Sequence, residues 1–250
     1  MSALKSALPE KEVSILLPAY NEALRIERCV REVERAVSSF SGSYEIIVAE
    51  DGSTDGTDKI LAVLSRGNPN LSVLHSPVRL GKGKAIKRAL HSAKGDVIVF
   101  MDVDLATSLE SLPRIVQLAK EHRGLAIGSR HVEDSRVRRS FTRTSFSLTY
   151  NLFVRVLFLD GIRDHQCGFK AMTCEVAEAL RDNAKSDGFF LDTEMILLCK
   201  MLGFPVMEVG VEWAETRKKR ESGIRLFRDA TKMGLDLLRF RLNTNDLQDS

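Results

Sequence analysis

The sequence has little of what disulfide scaffolds, zinc proteins and membrane-spanning proteins need. Its four cysteines show no CxxC spacing, which is typical of reduced thiols in a cytosolic protein. The five histidines form no i, i+4 pair on one predicted helix, so we expect no zinc site. The uncharged stretch Thr144–Val154 is 11 residues long, well short of the ~18 residues that span a bilayer. Residues 1–12 lack the apolar region of a secretory signal, and we therefore expect a cytoplasmic protein.

The positive charge is concentrated in two parts of the chain. The 250 residues are 44% hydrophobic and 28% charged, ordinary values that exclude disorder, collagen and coiled coil. The net charge is only +3, but residues 130–170 carry 8 basic against 4 acidic side chains, and residues 211–242 carry 9 against 5. Both segments also contain long apolar runs. This asymmetry indicates an anionic partner or a membrane surface, and we expect no nucleic acid.

The first 130 residues alternate apolar β-branched runs with helical patterns. This alternation predicts an α/β fold with a mostly parallel central sheet and helices on both faces. Ligands of such sheets bind beyond the carboxyl ends of the strands. The predicted strands are Val13–Leu17, Glu45–Ala49, Leu71–Leu74, Val97–Met101 and Leu125–Ile127.

The second half differs in character. We predict a polar turn at Asp164–Lys170, a strand at Val206–Val211 and a final amphipathic helix over 224–242. The chain then divides into a tail (1–12), a single domain (13–242) and a second tail (243–250). Within the domain, 13–130 is the predicted nucleotide-binding half and 131–223 the acceptor-binding half.

Polar clusters follow three of the predicted strands. The first is Leu17–Glu22 and the second is Glu50–Asp55, in which Asp51 can accept a hydrogen bond from a base imide. In the third, Asp102 and Asp104 are two apart on an extended segment, so both carboxylates point the same way and can share Mg²⁺ or Mn²⁺. The alternatives are that Asn21 and Asp51 only cap helices, and that the aspartate pair is a solvated acidic turn.

Together, the strings P-A-Y-N-E (18–22), E-D-G-S-T-D (50–55) and D-V-D (102–104) resemble the family-2 glycosyltransferases of the GT-A fold. These are inverting enzymes that take a sugar from a nucleotide diphosphate donor. The string G-I-R-D-H-Q-C-G-F-K (161–170) resembles the dolichyl-phosphate β-glucosyltransferases and related polyprenyl-phosphate enzymes. The resemblance covers about 13–242, and it implies transfer of a sugar, with glucose from UDP-glucose favoured, to a polyprenyl phosphate.

The resemblance also implies residue roles on the donor side. Asp102 and Asp104 would serve the ribose, the metal and the diphosphate, with Asp104 catalytic. Ala106 stands where related mannosyltransferases have a metal-binding glutamine, so the metal needs another ligand or water. The predicted nucleotide-binding residues are Pro18, Tyr20, Glu22, Asp51, Arg79 and Lys82.

On the acceptor side, Asp192 and Glu194 stand where related enzymes place a base or an acceptor-binding acid. A monophosphate acceptor is largely ionised near neutral pH, so we predict that Asp192 orients the site and removes no proton. Arg130 and Arg139 are the candidates for gripping the acceptor phosphate, because guanidinium forks match its oxygens. Alternatively, Arg130 is a solvated surface side chain. The resemblance adds Asp164 and Gln166 to the substrate-binding set.

The two basic apolar segments predict peripheral attachment to the cytoplasmic face of a membrane. Alternatively, their apolar stripes pack on the sheet or on a second subunit of a homodimer. Other functions also stay open: another donor (UDP-N-acetylglucosamine or GDP-mannose), a sugar-hydroxyl acceptor, a nucleotidyltransferase, or a non-catalytic nucleotide-sugar binding protein.

Overall fold

The computed structural model, which describes residues 11–138, 141–216 and 226–248, is built on a seven-stranded sheet of order β3-β2-β1-β4-β7-β5-β8. Strand β7 is antiparallel to both its neighbours, and the other strands run parallel to one another. A second sheet pairs β6 with β9 in parallel. The strands are β1 (Lys11–Ala19), β2 (Tyr44–Glu50), β3 (Leu71–Leu74), β4 (Gly95–Met101), β5 (Leu125–Ser129), β6 (Arg136–Arg138), β7 (Phe169–Thr173), β8 (Val206–Gly210) and β9 (Glu212–Ala214).

Helices cover both faces of the large sheet, as predicted. Successive residues of a strand point to opposite faces, so Ile15 and Leu17 pack against α1, α2 and α4, whereas Leu16 packs against α3, α6 and α7. A third cluster joins α5, α7 and α8 around Val154 and Leu237. The helices are α1 (Ile26–Ser38), α2 (Thr57–Arg66), α3 (Lys82–Ser92), α4 (Leu112–His122), α5 (Phe141–Phe158), α6 (Cys174–Asn183), α7 (Leu191–Met201) and α8 (Leu226–Gln248), with a 3-10 turn at Leu109–Ser111.

The structure corrects the prediction of a polar turn over Asp164–Lys170. Its last two residues begin β7, which inserts between β4 and β5. Lys170 interrupts the apolar pattern of this strand, although its side chain is fully buried. An ionised group inside a strand is what the hydrophobic pattern cannot anticipate.

Two predicted boundaries also shift. Strand β1 begins at Lys11, inside the predicted tail, because Lys11 pairs with Gly95 at the start of β4. Helix α8 continues to Gln248, beyond the predicted end at residue 242, since neither glycine nor proline interrupts the chain there.

The sheet brings the polar clusters to one edge. The carboxyl ends of β1, β2, β4 and β5 meet there, and because β7 is antiparallel, its amino end lies at the same edge. The segment before β7 is therefore a direct neighbour of Asp102, whose backbone N–H donates to the carbonyl of Gly168.

Candidate active site

The loop after β3 lies against the ends of β1 and β2. The Asp51 carboxylate accepts the backbone N–H of Leu80 at 2.7 Å and that of Gly81 at 2.9 Å. Gly52, at φ +71°, lies so close to this loop that a Cβ would be 2.4 Å from the carbonyl carbon of Val78. These contacts hold the Arg79 guanidinium 4.0 Å above the ring of Tyr20. The structure thus brings together Tyr20, Asp51 and Arg79, with Asp51 as the organiser of the loop.

The turns after β1 and β2 are joined by side-chain hydrogen bonds. Asn21, at φ +55°, donates its backbone N–H to Ser53 and accepts that of Thr54 with its side-chain oxygen at 2.8 Å. Asp55, not Asp51, accepts the N–H of Thr57 at the start of α2. The alternative that Asn21 and Asp51 act only as helix caps is therefore wrong, because both join separate segments of the chain.

Pro18 and Glu22 lie beside this junction. Pro18 is half-buried in β1, where it pairs with Ala49. The Glu22 carboxylate is buried 3.6 Å from Arg25, and its carbonyl oxygen accepts the first N–H of α1. Both residues stay predictions as nucleotide contacts.

Glu50, at the end of β2, is fully buried and accepts hydrogen bonds from Ser53 and from Nδ1 of His75, each at 2.5 Å. Burial alone would raise the pKa of the Glu50 carboxyl, but these hydrogen bonds outweigh it and hold the pKa below its ordinary value. The ionised Glu50 thereby ties β2 to the loop that carries Arg79.

Four charged side chains alternate at the centre of the site. Nζ of Lys82, at the start of α3, lies 3.0 Å from Oδ1 of Asp102 and 3.2 Å from Oδ2 of Asp192. Nζ of Lys170 donates to Oδ1 of Asp192 at 2.8 Å and to the carbonyl of Cys167 at 2.7 Å, and it faces the ring of Phe100. We call Lys82, Asp102, Lys170 and Asp192 the charge cluster.

Within the charge cluster, the ionised forms of Asp192 and Lys82 stabilise each other. Burial would raise the pKa of Asp192, yet Lys170 and Lys82 outweigh it and hold that pKa below its ordinary value. Burial would lower the pKa of Lys82, and Asp102 and Asp192 raise it instead. A carboxylate whose two oxygens both accept from ammonium groups is a poor proton acceptor, which supports an orienting role for Asp192.

Arg130, which follows β5, is bound to Asp164. Nε of Arg130 donates to Oδ2 of Asp164 at 2.7 Å, and Nη2 donates to Oδ1 at 2.8 Å. The backbone N–H of Arg130 also donates to Oδ2. The side chains of Arg130 and Asp164 are 7% and 0% exposed, so Arg130 is not a solvated surface side chain. Burial would raise the pKa of Asp164, but Arg130 lowers it far below its ordinary value. The fork predicted to grip a phosphate thus holds a carboxylate of the same chain.

Gln166, Thr193 and Tyr150 connect the segment before β7 with α7 and α5. The Gln166 side chain donates to the hydroxyl of Thr193 at 2.7 Å, and the Tyr150 hydroxyl lies 2.9 Å from the same oxygen. Thr193 follows Asp192 directly. Helix α5 therefore contributes a polar group next to the charge cluster.

The Glu194 carboxylate binds the backbone of the loop that precedes α7. Its two carboxylate oxygens accept the backbone N–H groups of Lys185 and Ser186 at 2.9 and 2.8 Å. In the same loop, the carbonyl of Asp187 accepts the backbone N–H of Gly83. The structure gives Glu194 a loop-holding role, where the sequence predicted a substrate contact.

Asp102 and Asp104 line one small pocket. Asp102 lies against Gly168, where a Cβ would be 2.2 Å from its Oδ2, so a side chain at this position would displace the Asp102 carboxylate. Within the described part of the chain, no group of three or more His, Cys, Asp or Glu side chains is placed to hold a metal. Two carboxylates at an open pocket fit a Mg²⁺ or Mn²⁺ ion that takes its other ligands from substrate phosphates and water. The pocket is lined by Met101, Asp102, Asp104, Leu105, Ala106, Thr107, Gly168, Phe169 and Trp213.

An apolar surface lies next to the site. Phe158 of α5 and Phe240 of α8 pack together with ring centroids 5.9 Å apart, which leaves the outer sides of both helices exposed. Met233, Leu237 and Phe240, which the sequence placed in an amphipathic stripe, pack inward instead. The exposed apolar side chains of the two helices, which together we call the α5–α8 face, are Leu148, Leu152, Phe153 and Val156 of α5 and Leu235, Leu238 and Leu242 of α8. Among the described residues, no helix combines the length and apolar character needed to cross a bilayer.

Arg139, which was predicted to grip the acceptor phosphate, lies outside the described residues. Conversely, sequence reasoning gave no role to Lys170, Thr193, Tyr150 or Trp213. Lys170 lay within the G-F-K string, and a lysine inside an otherwise apolar strand was the signal that could have identified it.

Comparison with known proteins identifies the family of the chain. The model of the family described as glycosyl transferase family 2 matches residues 14–181. The chain belongs to this family. The glycosyltransferase is 40% identical over 231 residues to "Glycosyltransferase AglD" of Haloferax volcanii, an alignment that covers 91% of this chain and 36% of AglD.

Other relatives of the glycosyltransferase carry a more specific name. It is 31% identical to "Dolichyl-phosphate beta-glucosyltransferase" of Dictyostelium discoideum, covering 95% of this chain and 76% of that protein, and 31% identical to its namesake in Mus musculus, covering 94% and 76%. The solved structure of glucosyl-3-phosphoglycerate synthase from Mycobacterium tuberculosis with UDP superimposes with a TM-score of 0.69 at 22% identity, covering 93% of this chain and 80% of that one. This likeness shows the GT-A fold.

Proposed function

We propose that this glycosyltransferase transfers glucose from UDP-glucose to the phosphate of a polyprenyl phosphate such as dolichyl phosphate, with inversion. The observation that carries the proposal is the double role of α5. The helix contributes Tyr150 to the hydrogen bonds beside Asp192, and it exposes Leu148 and Leu152 to the α5–α8 face. A lipid phosphate needs this combination, a polar site for its head group beside an apolar surface for its chain. The names of the relatives support the same acceptor.

The donor would bind at the edge formed by β1, β2 and β4. Tyr20 and Arg79 offer flat surfaces for a base, and Lys82 is placed to donate to a diphosphate once it leaves Asp102. A divalent metal ion held by Asp102 and Asp104 would neutralise charge on the leaving diphosphate. Solved structures of the M. tuberculosis neighbour contain Mn²⁺ and UDP, which supports this metal and this nucleotide.

The acceptor phosphate needs no general base, because it is already largely ionised near neutral pH. Catalysis then depends on position and charge: an acceptor oxygen must lie in line with the bond to the diphosphate. Asp192, held by Lys82 and Lys170, would fix the distance between the donor site and the group formed by Gln166, Thr193 and Tyr150. The α5–α8 face, with exposed Arg239 beside it, would rest on the cytoplasmic face of a membrane.

Radiolabel transfer tests the donor and the acceptor together. The protein is incubated with Mg²⁺ and with labelled UDP-glucose, UDP-N-acetylglucosamine or GDP-mannose, and each donor is offered polyprenyl phosphate in vesicles or phosphoglyceric acid in solution. We expect label from UDP-glucose to enter the lipid fraction. Label only in a water-soluble product would overturn the lipid acceptor, and preference for another nucleotide sugar would overturn the donor.

The metal site has its own test, because Trp213 lines the pocket and is the single tryptophan of the chain. Paramagnetic Mn²⁺ added with UDP is expected to quench tryptophan emission, and diamagnetic Mg²⁺ is not. The Asp104→Asn variant is expected to lose this quenching. Unchanged quenching in that variant would place the metal elsewhere.

A further inference from the structure

The backbone of Trp213 is fixed between the donor side and the acceptor side of the site. It is the middle residue of β9, which pairs on one side with β6. On the other side, Ala214 donates its N–H to the carbonyl of Ala106 at 2.8 Å, and Ser108 donates to the carbonyl of Glu212 at 2.9 Å. Strand β9 thus lies directly beside the segment that follows Asp104.

The indole lies between two charged groups. It lines the pocket that Asp102 and Asp104 face, and the Arg130 guanidinium is 5.7 Å from its ring centroid. If the proposed function holds, the diphosphate lies at the aspartates and the attacking phosphate lies on the side of Arg130, Gln166 and Thr193. An in-line displacement places the transferred sugar between these two phosphates. Trp213 borders both positions, because it lines the pocket of Asp102 and Asp104 and has Arg130 over its ring.

The chemistry of the ring suits a sugar. A hexopyranose has a face of C–H groups, and the face of an aromatic ring is apolar and electron-rich. The lining of the pocket combines apolar side chains, among them Met101, Phe169 and the indole of Trp213, with the carboxylates of Asp102 and Asp104. Pockets of this kind combine an aromatic wall with a few placed polar groups.

We propose that Trp213 forms the sugar subsite of this enzyme, stacking on the C–H face of the transferred hexose while the aspartates hold the diphosphate. This assignment rests on the proposed function, which supplies the nucleotide hexose and places the diphosphate and the acceptor phosphate on either side of it. Trp213 would then be a specificity-determining residue.

The sole tryptophan makes the test direct on the unmodified protein. With excitation at 295 nm and Mg²⁺ as the metal, the protein is titrated with UDP and with UDP-glucose, in which the terminal phosphate carries the sugar. We expect UDP-glucose to shift the emission well beyond the change that UDP causes. Equal changes with the two ligands would overturn the proposal, whatever lipid product the enzyme makes.

Two variants test the role in catalysis. The Trp213→Phe variant keeps an aromatic ring. The Trp213→Leu variant keeps an apolar side chain but has no aromatic ring. We expect Trp213→Leu to raise KM for UDP-glucose about tenfold, the size of effect that one apolar contact has on discrimination, with Trp213→Phe close to wild type. The affinity for UDP, measured by calorimetry, should stay within about twofold in both, since UDP lacks the sugar.

The outcomes separate the two proposals. If Trp213→Leu raises the dissociation constant of UDP as much as KM for UDP-glucose, the side chain serves the nucleotide or the fold, and the sugar subsite is wrong. If the unmodified enzyme glucosylates lipid but shows no sugar-dependent emission change, the proposed function stands and this inference fails. If UDP-glucose changes the emission beyond UDP but no lipid is labelled, the subsite stands and the lipid acceptor fails.

Discussion

The donor side and the acceptor side of this glycosyltransferase are built in different ways. On the donor side, polar residues directly follow parallel strands, so the sheet itself brings Asp51 and Asp102 to one edge. On the acceptor side, an antiparallel strand, a buried ion pair and a helix from outside the sheet supply the groups. Parallel-sheet topology brings together the residues that we propose for the nucleotide, whereas the proposed acceptor site depends on long-range side-chain pairs such as Arg130–Asp164.

The largest expected loss of activity follows from the removal of a carboxylate from the pocket on the donor side. We expect Asp104→Asn to lower kcat about 10³-fold, because transition-state charge on the diphosphate loses its main neutralising group. Initial rates of label transfer measure this. Glu178→Gln on the exposed side of α6 is the matched control and should keep full activity. Residual activity of Asp104→Asn above a tenth of wild type would contradict the assignment.

On the acceptor side, we expect the loss of a charged partner to lower the stability of the protein. Asp164→Asn leaves the Arg130 guanidinium buried without its counter-charge, and we expect a loss of about 3 kcal/mol in the free energy of unfolding. Urea denaturation measures it. Asp58→Asn, at an ion-pair-free position on α2 in the described contacts, is the control and should change little.

The Arg130–Asp164 ion pair should also make the stability of the protein depend on pH. The pKa of Asp164 is lowered in the folded protein, so its contribution is fully present above the unfolded pKa, about 4, and is lost as pH falls through the lowered value. Below about pH 4 the wild type should therefore lose stability more steeply than Asp164→Asn. Parallel curves for the two proteins would show that the ion pair contributes no such term.

A double-mutant cycle tests whether Lys170 acts through Asp192. Lys170→Met should lower kcat about tenfold, because the Oδ1 oxygen of Asp192 loses its partner. In an Asp192→Asn background the same change should cost little more. Additive losses in kcat would mean that Lys170 supports the fold and not the orientation of Asp192.

The parts that could be predicted from the sequence follow the same division. The strands of the donor side each have an apolar run followed by polar residues, so pattern and topology locate Tyr20, Asp102 and Asp104. Lys170 and Glu194 could not be assigned in this way, because their partners, Asp192 and the backbone of Lys185 and Ser186, are set by tertiary packing. Strand β7 was missed for the same reason: its buried lysine is paired only once the chain has folded.

The smallest expected effect concerns the α5–α8 face. Leu152→Gln with Phe153→Gln should reduce flotation with anionic vesicles several-fold, while the free energy of unfolding changes by less than about 0.5 kcal/mol, since both side chains are exposed. Val63→Gln, which removes an exposed apolar group from α2, is the matched control. Equal vesicle binding by all three proteins would leave the face as a contact for a second subunit.

Transfer of a hexose to a lipid phosphate with inversion would give one defined lipid product, whose structure can be measured. After reaction with UDP-glucose, mass spectrometry and the anomeric proton coupling of the lipid fraction should show a polyprenyl phosphate that has gained one hexose in the β configuration. An α-linked product would contradict inversion. A lipid fraction without hexose, from a protein that still binds UDP-glucose, would contradict the acceptor.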